Sequence, residues 1–183
     1  RELGKPLAGM MERFAQLGVS AAMSAWRDAG LADAPDSKST ERLDWGCLWG
    51  TALGGLSAHE RGDRDRWLKG RERVSPLSVI MGMNNAVNAH VSIQLGLGGV
   101  SSSHTSACAS AAMAIGESFR RVRSGEAEVM VTGGSDVCHN IGVVRAWEAM
   151  RVLAHGNPDT AHLACRPFAV DRGGLVLGEG GEQ

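Results

Sequence analysis

Residues 100–123 read VSSSHTSACASAAMAIGESFRRVR, and the fold class follows from this stretch because a strand-like pattern meets a helical pattern at one cysteine. Val100–Ala107 is a run of mostly small residues that predicts a short strand, and Ala109–Arg123 places its apolar residues on one helical stripe. Arginines occupy the last turn of that helix, where the negative end of the helix dipole favours them. The pattern therefore predicts a strand that leads directly into a helix, with Cys108 at the junction.

Strand-like and helical segments alternate along the rest of the chain, and the 25 glycines cluster at the ends of these segments. Alternation of helices with apolar strands predicts an α/β fold with a mostly parallel sheet covered on both faces. The predicted strands are Trp45–Leu53, Val100–Ala107, Glu128–Thr132 (ended by Gly133-Gly134) and a last one that begins at Leu175–Leu177. The predicted helices are Gly9–Asp28, Pro76–Gln94, Ala109–Arg123 and Ile141–Leu153, with a surface loop at Ala32–Arg42 and a solvated helix or lid-like loop at Ala58–Arg73.

The composition is that of one globular unit with no strong electrostatic field. Of the 183 residues, 43% are hydrophobic and 21% charged, and the formal net charge is -1. This balance disfavours nucleic acid and anionic membrane as partners. No apolar run approaches the ~20 residues that span a bilayer, and the first residues lack the apolar region of a signal peptide. We therefore expect a cytoplasmic protein that binds neither nucleic acid nor membrane.

The four cysteines are predicted to be free thiols. Cys47, Cys108, Cys138 and Cys165 form no C-x-x-C pair, so neither a zinc site nor a disulfide framework is indicated. Cys108 has a distinctive setting, because a helix N-terminus offers N–H groups and partial positive charge that lower a thiol pKa and stabilise an oxyanion. The alternative is a buried structural cysteine, which is the commoner state of this residue type.

Three motifs, in this order, resemble those of the β-ketoacyl-acyl-carrier-protein synthases. Ser106–Ser110 resembles the family's nucleophile motif, and Gly125–Ser135 resembles the strand that follows it. Arg166–Gly181 is similar to the signature R-P-F-x-x-D-R-x-G-x-V-L-G-E-G, in the form typical of elongating synthases of the thiolase-like superfamily. The resemblance extends upstream through the helix at Met10–Leu31, so it covers nearly the whole chain.

This resemblance implies a thiolase-like αβαβα layered fold, with residues 1–183 as an N-terminal domain incomplete at both ends. It implies an acyltransferase that condenses malonyl-carrier protein with an acyl group held as a thioester on Cys108, without metal or organic cofactor, in fatty-acid or polyketide biosynthesis. The implied partners are acyl carrier protein, acyl and malonyl thioesters, and a second synthase subunit in a homodimer or heterodimer. Met83 aligns with a position that lines the acyl pocket and Trp147 with a bulky aromatic beside it, although both would serve equally well as core.

Two other functions stay open at this stage. A non-catalytic chain-length partner would share the fold but carries another residue where Cys108 stands, and a cysteine acyltransferase or hydrolase would place a histidine beside Cys108. His104 is not expected to be that histidine, because four residues along a strand at ~3.3 Å each separate the two side chains. We interpret His90 as structural and Asp171 with Arg172 as an ion pair. The family's catalytic histidines and lysine lie in later motifs, so we expect residues 1–183 alone to be inactive.

Overall fold

The computed structural model describes residues 5–31 and 42–182. The predicted loop at Ala32–Arg42 lies, apart from Arg42, outside the described residues. The chain forms two compact units. The first comprises Arg1–Val137 together with Gly180–Gln183, and the second is Cys138–Glu179. Among the described helices, none is long and apolar enough to cross a lipid bilayer.

The secondary structure is numbered in chain order. The helices α1 to α7 are Lys5–Ala8, Arg13–Asp28, Leu56–Asp63, Ser78–Gly82, Ala86–Leu95, Ser110–Arg123 and Ile141–Ala149. The strands β1 to β4 are Gly46–Gly50, Ser101–His104, Met130–Val137 and Glu179–Glu182. A π-helical turn, Arg64–Leu68, continues α3, and a short 3-10 helix spans Ala161–Leu163.

The four strands form one sheet in the order β2-β1-β3-β4. The central strand β1 pairs in parallel with β2 on one side and with β3 on the other. Cys47 lies opposite Ser101 in the first pair and opposite Val131 in the second. The predicted α/β class with a mostly parallel sheet is therefore confirmed.

The two faces of the sheet are covered by different helices, because successive side chains of a strand point to opposite faces. On the face that carries Cys47 and Trp49, α5 packs against β1, and α2 packs against β3 and α5. The indole Nε1 of Trp49 donates to Ser135 Oγ at 2.9 Å, so its one polar group is satisfied in the core. The buried cluster on this face comprises Met11, Phe14, Ala15, Val19, Ala22, Trp26, Cys47, Trp49, Ala86, Val87, Val91, Leu95 and Val131.

On the other face the first turn of α6 lies directly on two paired glycines. Gly50 of β1 is opposite Gly134 of β3. A Cβ on Gly50 would lie 2.3 Å from the backbone carbon of Ser110, and one on Gly134 would lie 2.5 Å from Ala111 Cβ. Because Cβ contacts under 3.0 Å essentially do not occur, only glycine allows α6 to approach so closely. Because β3 continues through both glycines to Val137, the prediction that Gly133-Gly134 ends the strand is wrong.

Two further predicted boundaries are wrong because tertiary contacts override the local pattern. The helix predicted at Pro76–Gln94 is divided into α4 and α5, and Met83 between them is extended, with φ -71° and ψ 137°. A Cβ on Gly55 would lie 1.9 Å from the Met81 carbonyl oxygen, so the loop after β1 packs where the helix is interrupted. Leu175–Leu177 contributes only one bridge, from Leu175 to Leu153, and the last strand is β4.

The second unit differs from expectation in two details. Its helix α7 ends at Ala149 rather than Leu153, and Arg151 follows with a positive φ of 57°. The carboxylate of Asp171 pairs at 2.5 Å with Arg166. Arg172 instead donates to the Ala169 carbonyl at 3.0 Å. The predicted pairing of Asp171 with Arg172 is therefore wrong, because the turn of the chain brings Arg166 back to the carboxylate.

We predict that Gly50→Ala destabilises the complete protein containing this chain by about 1–3 kcal/mol, because the added methyl overpacks the contact with α6. The matched control is Gly116→Ala in α6, where a Cβ would meet only the Arg120 guanidinium, at 3.9 Å. That change should stabilise by ~0.5–1 kcal/mol through helix propensity. Denaturant unfolding measures both, and equal stability of the two variants would contradict the close contact.

Candidate functional site

The candidate site is the turn between β2 and α6, which consists of residues 105–109. Cys108 is exposed and lies two residues before Ser110, the first residue of α6. The chain enters this turn from the carboxyl end of a parallel strand. In open α/β sheets, ligands bind at this edge. Cys108 therefore lies at the edge of the sheet where such ligands bind.

The residue before the cysteine is held in a conformation that non-glycine residues rarely adopt. Ala107 has a φ of 49°, in the left-handed region, which costs an L-residue roughly 1–2 kcal/mol. The Ser110 hydroxyl donates to the Ala107 carbonyl at 2.7 Å and accepts from the Ser106 N–H at 2.8 Å. The Ala109 N–H donates to the Ser106 carbonyl at 3.0 Å. These bonds fix the chain on both sides of Cys108.

A half-buried polar network joins the carboxyl ends of three strands beside this turn. The Asp136 carboxylate, near the end of β3, accepts from the Thr51 hydroxyl at 3.0 Å and from the N–H groups of Ala52 and Leu53 at 2.7 and 3.0 Å. The N–H of Thr51 donates to the carbonyl of His104, the last residue of β2, at 3.1 Å. The network therefore positions the strand that leads into the cysteine turn.

The four thiols have different environments, as expected for free cysteines. Cys47 lies in the core, and burial raises its pKa to about 12. Cys138 is half-buried and Cys165 exposed, and both belong to the second unit. In the first unit, Cys108 is the exposed thiol. Within the described residues, no three histidine, cysteine, aspartate or glutamate side chains are grouped to hold a metal ion.

The two residues predicted to line an acyl pocket lie in separate units. Met83 follows α4 and is 47% exposed. Trp147 lies on α7 of the second unit and is half-buried. His90 on α5 is half-buried, and the loss of hydration lowers its pKa. The roles of Met83, Trp147 and His90 stay predictions.

Sequence analysis placed Ser110 inside the predicted nucleophile motif but gave it no role, and it did not identify Asp136. Asp136 was visible only as an acidic residue after a glycine pair. An acidic residue two positions beyond Gly-Gly in an apolar strand is a usable signal, because a buried carboxylate requires donors nearby. The hydrogen bonds of Ser110 follow from the left-handed turn, for which the residue types give no indication.

Comparison with solved structures defines the class of protein. The fold matches a crystal structure of a β-ketoacyl synthase from Burkholderia phymatum with a TM-score of 0.80 and 26% identity, over 98% of this chain and 43% of that one. It also matches the ishigamide ketosynthase/chain length factor, with a TM-score of 0.78 and 25% identity, over 93% of this chain and 40% of that one. The fold is thus the thiolase-like fold of ketosynthases, in the part that forms their N-terminal half.

Sequence comparison gives the family. Residues 3–182 match the family model described as β-ketoacyl synthase, N-terminal domain. Nodulation protein E of a Rhizobium species is 45% identical over 170 residues, which are 93% of this chain and 40% of that protein. The 3-oxoacyl-[acyl-carrier-protein] synthase 2 of Staphylococcus aureus is 35% identical over 178 residues, 97% of this chain and 42% of the relative. The chain belongs to the β-ketoacyl synthase family, and it spans about 40% of the length of these relatives.

We predict that iodoacetamide alkylates Cys108 faster than the other three cysteines of the complete protein, because it is exposed beside a helix N-terminus. Cys47 should stay unlabelled at pH 8, where a thiol with a pKa of about 12 is ionised to about one part in 10,000. Peptide mass spectrometry after timed labelling measures all four rates. Labelling of Cys165 or Cys138 with Cys108 untouched would refute the assignment.

Proposed function

We propose that the protein containing this chain is a β-ketoacyl-acyl-carrier-protein synthase in which Cys108 carries the growing acyl group as a thioester. The single observation that carries this proposal is the exposed thiol of Cys108 in a strained, hydrogen-bonded turn at the carboxyl edge of the sheet. Membership of the β-ketoacyl synthase family supports it. Because the relatives are more than twice as long as this chain, the proposal concerns the complete protein, and residues 1–183 alone are expected to be inactive.

The proposed chemistry begins with acyl transfer to Cys108. Its thiolate attacks the carbonyl carbon of an acyl-carrier-protein thioester, and the tetrahedral intermediate expels the carrier thiolate, which takes up a proton. Backbone N–H groups beside a helix start suit the oxyanion of that intermediate, since a lost oxyanion donor typically costs ~10²–10³ in rate. The Cys108 acyl-enzyme is the product of this half-reaction.

Condensation follows from the acyl-enzyme. Malonyl-carrier protein loses carbon dioxide, and the electron pair of the broken C–C bond forms an enolate on the remaining acetyl thioester. The enolate carbon attacks the acyl carbonyl on Cys108, a new C–C bond forms, and the Cys108 thiolate leaves. The product is a β-ketoacyl thioester on the carrier protein, two carbons longer, and no external oxidant or reductant is required.

The proposed partners are acyl carrier protein and a second synthase subunit. One relative is named as a 3-oxoacyl-[acyl-carrier-protein] synthase, and one structural neighbour is a ketosynthase/chain length factor. The second candidate function, a non-catalytic partner subunit, is favoured by that same neighbour. The cysteine at position 108 supports the catalytic role instead, because a subunit without turnover has no need of an exposed thiol in a strained turn.

Acyl transfer to Cys108 discriminates the two candidates. We expect incubation of the complete protein with acyl-carrier protein to add one acyl group to the peptide containing Cys108, detected by mass spectrometry. Cys108→Ala should abolish the adduct and lower condensation of malonyl-carrier protein by at least ~10³-fold. The matched control is Cys165→Ala, which removes the exposed thiol of the second unit and should leave both measurements unchanged. A wild-type protein that takes no acyl group would support the non-catalytic partner.

The pocket role proposed for Met83 and Trp147 gives a separate prediction. Met83→Trp should shorten the acyl chains accepted, because added volume in a packed pocket excludes the longer substrate first. Rates of acylation by short and long acyl-carrier proteins measure the effect, and we expect at least ~10-fold selective loss for the long chain. Met10→Trp, at a methionine that is 38% exposed, is the control and should not discriminate. Equal loss for both chain lengths would rule out the pocket role of Met83.

A further inference from the structure

Ser110 is the one buried residue at the edge of an otherwise exposed turn. It begins α6 and is 3% exposed, whereas residues 105–109 are all exposed. Its hydroxyl uses both its donor and its acceptor capacity within the turn, toward the Ala107 carbonyl at 2.7 Å and from the Ser106 N–H at 2.8 Å. A serine hydroxyl with two short, buried bonds is a fixed structural element rather than a solvated polar group.

These two bonds act on the residue pair that directly precedes the cysteine. Ser106 and Ala107 are held from one side by Ser110, and the Ala107 carbonyl also accepts from the Ser110 N–H at 3.1 Å. The left-handed φ of Ala107, 49°, persists only where the surroundings determine it. Without the hydroxyl, the carbonyl of the peptide between Ala107 and Cys108 would keep only the longer bond from the Ser110 N–H, and the strained conformation would be less well held. The direction of the Cys108 side chain and backbone N–H therefore depends on Ser110.

The position of Ser110 is itself fixed by the sheet. Its backbone lies on Gly50, where a Cβ would be 2.3 Å from the Ser110 carbonyl carbon and 2.4 Å from its oxygen. Ser110 therefore transmits the position of the central strand β1 to the cysteine turn, through one backbone contact and two hydrogen bonds. Acyl transfer is sensitive to such placement, because misplacement of a reacting group by about 1 Å can cost ~10²-fold in rate.

We propose that Ser110 is a positioning residue for acyl transfer to Cys108. Its hydroxyl holds Ala107 in the left-handed conformation and so aligns the Cys108 thiol and N–H with the thioester carbonyl. This inference rests on the proposed acyl-enzyme function, but it adds a residue that touches neither substrate nor thiol. It predicts that the hydroxyl matters for the transfer of an acyl group and little for simple alkylation of the thiol, which needs no alignment with a carbonyl.

A matched control lies on the same helix. Ser118 is eight residues further along α6, slightly more than two turns, and is also 3% exposed. Its hydroxyl is buried and has no hydrogen-bond partner among the described residues. Ser118→Ala therefore removes a buried hydroxyl from α6 without affecting the cysteine turn.

The experiment compares Ser110→Ala and Ser118→Ala in the complete protein. We expect Ser110→Ala to lower the rate constant of Cys108 acylation by acyl-carrier protein by about 10-fold or more, since each lost hydrogen bond contributes about 2- to 10-fold. Iodoacetamide alkylation of Cys108 and the KM for acyl-carrier protein should change by less than about 3-fold. Ser118→Ala should leave all three measurements near the wild-type values, and thermal unfolding reports any loss of folded protein.

The outcomes separate this inference from the proposed function. Wild-type protein that fails to acylate Cys108 overturns the proposed function and the positioning role with it. Normal acylation by the wild type and equal rates for the two serine variants overturn the positioning role alone. A Ser110→Ala protein in which alkylation and acylation fall in the same proportion, together with the melting temperature, also overturns it, because the serine then serves only stability.

Discussion

The first turn of α6 lies in direct backbone contact with Gly50 and Gly134, and the geometry of the candidate site depends on this contact. The two glycines are paired across neighbouring strands, so together they form a flat patch without side chains. Two stacked sheets, for comparison, lie about 10 Å apart because side chains fill the space between them. Here the absence of Cβ atoms lets Ser110 and Ala111 approach the strands themselves. Because Cys108 lies only two residues before Ser110, the same contact places it at the edge of the sheet.

The contact explains how a strained turn can persist. The left-handed conformation of Ala107 costs roughly 1–2 kcal/mol, and a net hydrogen bond contributes about 0.5–1.5 kcal/mol. The two bonds of the Ser110 hydroxyl are therefore comparable with the strain. Ser110 also lies directly on Gly50, and this contact helps to hold it in place for these bonds. The Asp136 network next to it holds the ends of the strands together. The strand ends and the cysteine turn are therefore both held by hydrogen bonds.

The opposite edge of the sheet is closed by a different kind of interaction. The Arg42 guanidinium lies 4.9 Å from the ring centre of Trp26 and 5.2 Å from that of Trp45, and it donates to the Leu95 carbonyl at 2.6 Å. The two cation–π contacts and the hydrogen bond together join α2, the start of β1 and the end of α5. The amino-terminal edge is thus closed by aromatic packing, while the carboxyl-terminal edge carries small residues and an exposed thiol.

The sequence by itself determined the α/β class, the strand-to-helix junction at Cys108 and the family resemblance, because these depend on local periodicity and on residues close together in the chain. It did not determine the division of the Pro76–Gln94 segment into α4 and α5, or the place of Gly134 inside β3. Those features arise where segments distant in sequence meet, as in the Asp136 contacts with Ala52 and Leu53. Tertiary structure alone decided them, because the effect of a missing Cβ or of a half-buried carboxylate depends on the atoms that pack against it.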